Sequence, residues 1–280
     1  PADGFCYGKI LSQTRKKSKS SKPDAENRMS PFFYVKDWPV FYEDNHLLAL
    51  YKPAGLLVQP DRTKDASLLE LAKAWLKARY QKPGRVFLGI VHRLDRPVAG
   101  VMVFARTSKA AGRLSEQFRS AGAEKDYAAV VEGRLRQPAG RLIHSLERIA
   151  GGSSRIVDPP TPESRESRLS FRVLDAKQDR TLVAISLETG RHHQIRAQFA
   201  HIGHPVLGDL RYGAGTPLPG KPIALCATRL SVFHPTLKTP LAFSTPYPAG
   251  WPWPGTGRDS QAPPWNWTDL EKELYAAMDG

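Results

Sequence analysis

Cysteine is scarce in this sequence, and acidic residues are outnumbered. Only Cys6, in a polar segment, and Cys226, in an apolar run, occur among 280 residues. They share no motif spacing with each other or with a metal-binding partner, so neither a disulfide nor a zinc site is expected. Long hydrophobic runs are missing as well. No stretch approaches the roughly 20 apolar residues that cross a bilayer as a helix, and the N-terminal segment lacks the apolar core of a secretory signal. A membrane role is therefore not expected, and a cytoplasmic location is. Asp and Glu number 27 against 41 Lys and Arg, a formal net charge of +14. That excess suits a polyanionic partner, nucleic acid first, with solubility alone as the plainer alternative.

What is present divides the chain into three parts. Residues 1–32 include QTRKKSKSSKPDAENR, too poor in apolar side chains to offset the entropy of ordering, and are expected to form a disordered basic extension. Met29 stands just before an apolar start at Phe32, so translation is expected to begin there with the segment before it an upstream extension, and a basic RNA-binding arm is the alternative. Residues 33–247 carry the patterned sequence. Residues 248–280 begin with a Pro-, Gly- and Trp-rich stretch, expected to strap the body through its tryptophans, and a last helix is expected after Thr268.

Within the middle part, VFYEDNHLLALYK from Val40 to Lys52 reads as two strands around a polar turn. Ser67 is placed to cap a helix bearing Leu68, Leu69, Ala72, Trp75 and Leu76. Residues Gly100 to Ala105 form a continuous apolar run, predicted as a buried strand, and Ala111, Leu114 and Phe118 recur at helical spacing after it. Strands are predicted over residues 127–133, 169–174 and 181–187. A regular strand-helix-strand rhythm is missing, so the expected class is α+β, a mainly antiparallel mixed sheet with flanking helices.

The chemistry-bearing residues cluster in two places. In VHRLDRPVAG, Asp95 stands between Arg93 and Arg96 just before the buried strand. Alone, that pattern more often pins a loop by an ion pair than it marks a catalytic carboxylate. In ETGRHHQIRAQFAHIGHPVLGDLRYG, Gly190 leads into a short helix with Ile195, Phe199 and Ile202 toward the core and His192 and Arg196 on another face. Arg196 is suited to pair with a carboxylate or an anionic group. His192, His193, His201 and His204 raise a metal site, but no Cys or Glu completes a tight set, and none is expected.

Four ordered segments together resemble the RluA-type RNA pseudouridine synthases: Lys52-Pro53-Ala54-Gly55-Leu56, His92-Arg93-Leu94-Asp95-Arg96, Lys125-Asp126-Tyr127 and Gly190 to Arg196. Gly208-Asp209, Tyr212-Gly213 and Ile223-Ala224-Leu225-Cys226-Ala227 look like later motifs of that family, so the likeness runs from about Val40 to about Phe243. The resemblance implies a pseudouridine synthase fold with a central RNA cleft, a catalytic aspartate at Asp95, a tyrosine at Tyr127 and an arginine at Arg196. It implies an isomerase that breaks the uracil N1 to ribose C1′ bond, rotates the base and joins C5 to C1′. Such chemistry involves no redox change and no cofactor, and the expected partner is structured ribosomal or transfer RNA without an obligate protein partner. Which bond Asp95 attacks first is left open.

Further RNA contacts are expected from Arg93, His92, Arg96, Lys125, His192 and Leu225. A uridine must leave its stack to be reached, and Arg93 is the candidate to fill the gap or hold a phosphate, with a structural role as the alternative. Two departures stand out. Val98 and Ala99 occupy positions where the family often has Thr-Ser, and no S4 RNA-binding domain is expected before Val40. A non-catalytic RNA-binding protein on the same scaffold is the competing reading. A DNA-binding regulator lacks a helix-turn-helix signal.

Overall fold

The computed structural model describes residues 40–253 apart from residues 64 and 249. The expected N-terminal extension and the helix after Thr268 lie outside the described residues.

The first hairpin forms as its apolar runs and polar turn require. Strands β1 (Val40–Glu43) and β2 (Leu47–Lys52) pair antiparallel. Asp44 closes the turn by accepting at Oδ1 from the backbone N–H groups of His46 (2.7 Å) and Leu47 (2.9 Å). Helix α1 (Leu68–Arg79) starts at Ser67, whose Oγ accepts from Glu70 N while Glu70 Oε2 lies 2.8 Å from that hydroxyl, so one Ser-x-x-Glu segment caps the first turn. A two-residue strand β3 (Gly89–Ile90) precedes β4 (Ala99–Ala105), which is buried throughout. Helix α2 (Ser108–Arg119) is capped by the Thr107 hydroxyl.

Strands β5 (Glu124–Glu132), β6 (Ala139–Ile149), β7 (Ser153–Val157), β8 (Arg165–Ala176) and β9 (Arg180–Leu187) follow. Then come α3 (Gln194–His201), β10 (Leu225–Phe233) and β11 (Pro240–Ser244). All eleven strands join one sheet in the order β1-β2-β4-β10-β5-β9-β8-β6-β7, with β11 on β10 and β3 on β4. Among the strands of the described residues, only β4 and β10 pair in parallel. The α+β class with a mainly antiparallel sheet is what the structure has.

Alternation along the central strands feeds two cores, one on each face of the sheet. Leu48, Leu50, Met102 and Phe104 join α1 and α3 residues such as Leu71, Trp75, Ile195 and Phe199 on one face. Leu47, Ala49, Val101 and Val103 pack with Ala110 and Leu114 of α2 on the other. The start of the Trp-rich stretch packs on the first core. Trp251 stacks on Tyr247 with ring centroids 5.0 Å apart, and Trp253 is buried with its indole N–H donating to Asp175 Oδ2 at 3.1 Å.

Two sequence expectations need correction. β3, β6, β7, β10 and β11 arise where no strand is predicted, and β8 extends well beyond residues 169–174. β6 and β7 are rich in Arg, Ser, Glu and His and partly exposed, so pairing with neighbours, not an apolar pattern, makes them strands. Helix α3 begins at Gln194, so His192 sits in the turn before it and does not share a helical face with Arg196.

Candidate active site

Adjacent strands bring the predicted residues together. The parallel pairing of β4 with β10 sets Ala99 beside Cys226 and Gly100 beside Ala227, while β5 places Tyr127 on the other side of Ala227. The Asp95 loop enters β4, Leu225 opens β10, and Tyr127 lies near the start of β5, so all three meet at one place on the sheet. Helix α3 lies over this face and delivers Arg196. The result is an open cleft of about 1530 Å³ whose lining includes Asp95, Tyr127, Arg196 and Leu225.

Arg196 is buried and holds two carboxylates at once. Its Nε and one terminal nitrogen donate to Asp209 at 2.6 and 2.9 Å, and the other terminal nitrogen donates to Asp95 Oδ2 at 3.0 Å. The planar guanidinium can serve both because its donors lie in a rigid fork. Burial opposes its charge, but Asp209 and then Asp95 outweigh burial and raise its pKa above the ordinary value. Asp209 is itself fixed by its backbone: its N–H donates to Val206 O at 2.9 Å, and its carbonyl accepts from Tyr212 N (2.9 Å) and Ala214 N (3.1 Å). The Arg196 guanidinium also lies 5.0 Å from the Tyr212 ring centroid.

The loop bearing Asp95 is held from below. Lys52 is fully buried and donates to three backbone carbonyls, Pro53 O (2.9 Å), Arg96 O (3.1 Å) and Val98 O (2.7 Å). Arg96 donates to Gly55 O at 2.9 Å and pairs with Asp65 at 2.6 Å, binding the loop to the segment after β2. His92 accepts the Val103 backbone N–H at Nε2 (2.9 Å) and stacks on Phe118 at 4.5 Å. Burial, then the charge of Lys125, pushes its pKa down to about 3. The side chains of His92 and Arg96 thus engage the protein itself. Val98 and Ala99, the departures from the family pattern, are buried in the apolar core, where their methyl groups need no hydrogen-bond partner.

Tyr127 has its phenol raised above the ordinary range by burial and then by Asp95. Lys125 is pushed below its ordinary value by burial and by neighbouring Arg191. Arg93 is exposed and makes no hydrogen bond or ion pair with the described residues. His192 holds Ser154 Oγ at 3.1 Å through Nδ1, and burial lowers its pKa.

Asp95, His192 and His193 bring possible ligand atoms within 4.8 Å of one another. The Arg196 guanidinium on Asp95 Oδ2 places a fixed positive charge at that point, which opposes a metal cation. The sequence reading assigns no role to Lys52, Asp209, Tyr212, His193 or Ser154. All but Ser154 stand inside motifs legible in the sequence, whereas Ser154 lies on a strand that no sequence signal marks.

The family model for RNA pseudouridylate synthase matches residues 46–201. The uncharacterised RNA pseudouridine synthase YhcT of Bacillus subtilis is 32% identical over 211 residues, covering 75% of this chain and 68% of that protein. Ribosomal large subunit pseudouridine synthase D of Xanthomonas campestris is 33% identical over 235 residues (75% and 66%). Ribosomal large subunit pseudouridine synthase C of Salmonella typhi is 36% identical over 208 residues (70% and 62%). The chain therefore spans about two thirds of the length of these relatives. Among solved structures, human RNA pseudouridylate synthase domain containing 4 superposes with a TM-score of 0.63 at 22% identity, covering 75% of this chain and 88% of that one. Human RNA pseudouridylate synthase domain containing 1 gives 0.62 at 23% identity, covering 89% and 98%. Fold and sequence kinship together define an RNA-modifying isomerase. The chain belongs to the RNA pseudouridylate synthase family, on its RluA-type side.

Proposed function

We propose that this chain converts uridine to pseudouridine in structured ribosomal RNA, with Asp95 as the catalytic carboxylate. The observation that carries the reading is the buried Arg196, which ties Asp95 to Asp209 at the floor of a cleft rimmed by cations including Arg93, Lys125, Arg148, Arg168, Arg191 and Arg211. A fixed guanidinium aims the carboxylate before substrate arrives, and the cationic rim attracts the RNA backbone. Ribosomal RNA is preferred over transfer RNA because the Xanthomonas and Salmonella relatives are, by name, large-subunit ribosomal enzymes. Such work belongs in the cytoplasm.

Tyr127 supplies the stacking surface for the uracil. Its phenol, raised by burial and by Asp95, keeps its proton, so the ring serves as a platform and donor and not as a phenolate base. Leu225 closes the pocket beside it, and Lys125 and His192 face the nucleotide. Arg93, exposed at the rim, is assigned to the space left by the extruded uridine or to an adjacent phosphate. His92 and Arg96 hold the loop that carries Asp95. Residues 33–247 are assigned to the catalytic domain, supported by the single sheet through the described part of that span.

The reaction needs a carboxylate, a base platform and a pocket that retains the detached uracil. The test is tritium release from C5-labelled uridine in ribosomal and transfer RNA, comparing the chain with Asp95→Asn. Release from ribosomal RNA by the unmodified protein alone is expected. Release by both proteins would remove Asp95 from the chemistry, release confined to transfer RNA would change the substrate, and RNA binding without release would make the protein a binder.

A further inference from the structure

We infer that His193 is a positioning residue that orients the Asp95 carboxylate, an inference that rests on the proposed catalytic role of Asp95. His193 is the N-cap of α3 and has left-handed backbone angles (φ 54°, ψ 23°) without making a side-chain capping hydrogen bond. A residue with a Cβ is strained there, and Asn or Asp at an N-cap would ordinarily supply a capping oxygen. The cap position does not explain the histidine, whereas its ring contacts do.

The ring side chain is 8% exposed and bridges two groups. Nδ1 lies 2.8 Å from Tyr212 Oη, and Nε2 lies 3.4 Å from Asp95 Oδ2. Tyr212 Oη accepts the Ser154 backbone N–H at 2.9 Å and has one proton to give, either to Ser154 O at 3.2 Å or to Nδ1 at 2.8 Å; the Asp95 carboxylate decides between them, since it only accepts and disfavours a bare Nε2 lone pair facing it. Nδ1 is thereby an acceptor. In a neutral imidazole the ring proton then sits on Nε2, the ring nitrogen nearest Asp95. Burial keeps the ring neutral, with Arg196 and His192 adding to that effect against the pull of Asp95. His192 stacks on the ring at 3.8 Å and fixes its plane.

Asp95 Oδ2 accepts from Arg196 and has His193 Nε2 at 3.4 Å on its other side, while Oδ1 makes no hydrogen bond to the described residues. The two donors select which oxygen is held and which faces the substrate. A carboxylate held by Arg196 alone retains freedom to rotate about its side-chain bonds, and the second donor removes it. The contact at 3.4 Å is long for a hydrogen bond, as such contacts often are before substrate closes the site.

The experiment measures kcat and KM for tritium release with His193→Asn, His193→Gln, Tyr212→Phe and Asp95→Asn, with thermal unfolding of each. Asn tolerates left-handed backbone but is too short to donate to Asp95 from this position, and Gln extends an amide donor toward it. The expected result is a kcat lower by about 10- to 100-fold for His193→Asn at nearly unchanged KM, with most of the loss restored in His193→Gln. Tyr212→Phe, which frees the ring tautomer, is expected to lower kcat by a smaller factor. Wild-type kcat in His193→Asn, or equal losses in the Asn and Gln variants, would overturn the inference. Should His193→Asn fail to fold, wild-type kcat in Tyr212→Phe overturns it instead. Persistent turnover in Asp95→Asn would overturn the underlying assignment of Asp95, a result separate from the others.

Discussion

Lys52 has no exposed surface, yet its amine faces three carbonyl oxygens, two of them on the loop that carries Asp95. Its motif is readable in the sequence, but its purpose is not, because nothing local says that Arg96 and Val98 turn their carbonyls toward it. Lys52→Met keeps the apolar stem and strands the three acceptors. It should lower the free energy of unfolding by about 2–4 kcal/mol in urea titrations, since each unsatisfied buried polar group costs about 1–3 kcal/mol. Burial also lowers the Lys52 pKa to about 7. Between that value and the unfolded value of about 10.4, the unfolded chain binds a proton that the folded chain has released. Stability from this residue therefore rises with pH through that window, and Lys52→Met should flatten the slope. An unchanged slope would show that the amine keeps its proton when buried.

At the scale of elements, the parallel contact between β4 and β10 is the join on which the site depends. Gly100 has φ +136°, and a Cβ there would stand 2.3 Å from the Ala227 carbonyl oxygen and 2.6 Å from its Cβ. Backbone atoms on a central strand cannot yield, so Gly100→Ala should destabilise by more than about 3 kcal/mol and lower soluble yield. A variant within about 1 kcal/mol of wild type in denaturant unfolding would mean that the strands slide apart cheaply. The Gly itself is visible in the sequence, but only strand pairing shows why it must be glycine. The same contrast holds across the fold. β2 and β4 carry continuous apolar runs, and α1 carries a cap and a stripe, so their sequences suffice. β6 and β7 alternate few apolar residues with arginine, serine and glutamate, and they become strands by pairing with β8 and with each other. His192 falls before the helix for a related reason: the helical period locates the stripe but not the first turn, and a left-handed His193 starts α3 later than the pattern suggests.

For the whole molecule, the formal charge of +14 acquires meaning from where it is displayed. Many arginines on β6 to β8 are partnered, as in Arg141 with Glu188 and Arg155 with Glu147. Arg93 and Arg148 line the cleft and form no ion pair with the described residues. These two are free to neutralise phosphate. Arg93→Ala and Arg148→Ala should each weaken RNA binding, and each should reduce the slope of log affinity against log salt by about 0.7–0.9. Filter binding or fluorescence anisotropy across a salt series measures this. Unchanged slopes would move the RNA path elsewhere on the surface.

By itself the sequence determined the α+β class, the strands β2, β4, β5 and β9 and the family likeness, and it singled out Asp95, Tyr127 and Arg196, because these depend on residue type, local period and motif order. Tertiary structure alone decided that Arg196 grips Asp95 and Asp209 together, that His92 and Arg96 brace the loop, and that Tyr212 joins Ser154 to His193. Those relations join residues far apart in the chain, from Asp95 to Arg196 across 101 positions, for example, and no local pattern encodes a distance that only the closed sheet creates.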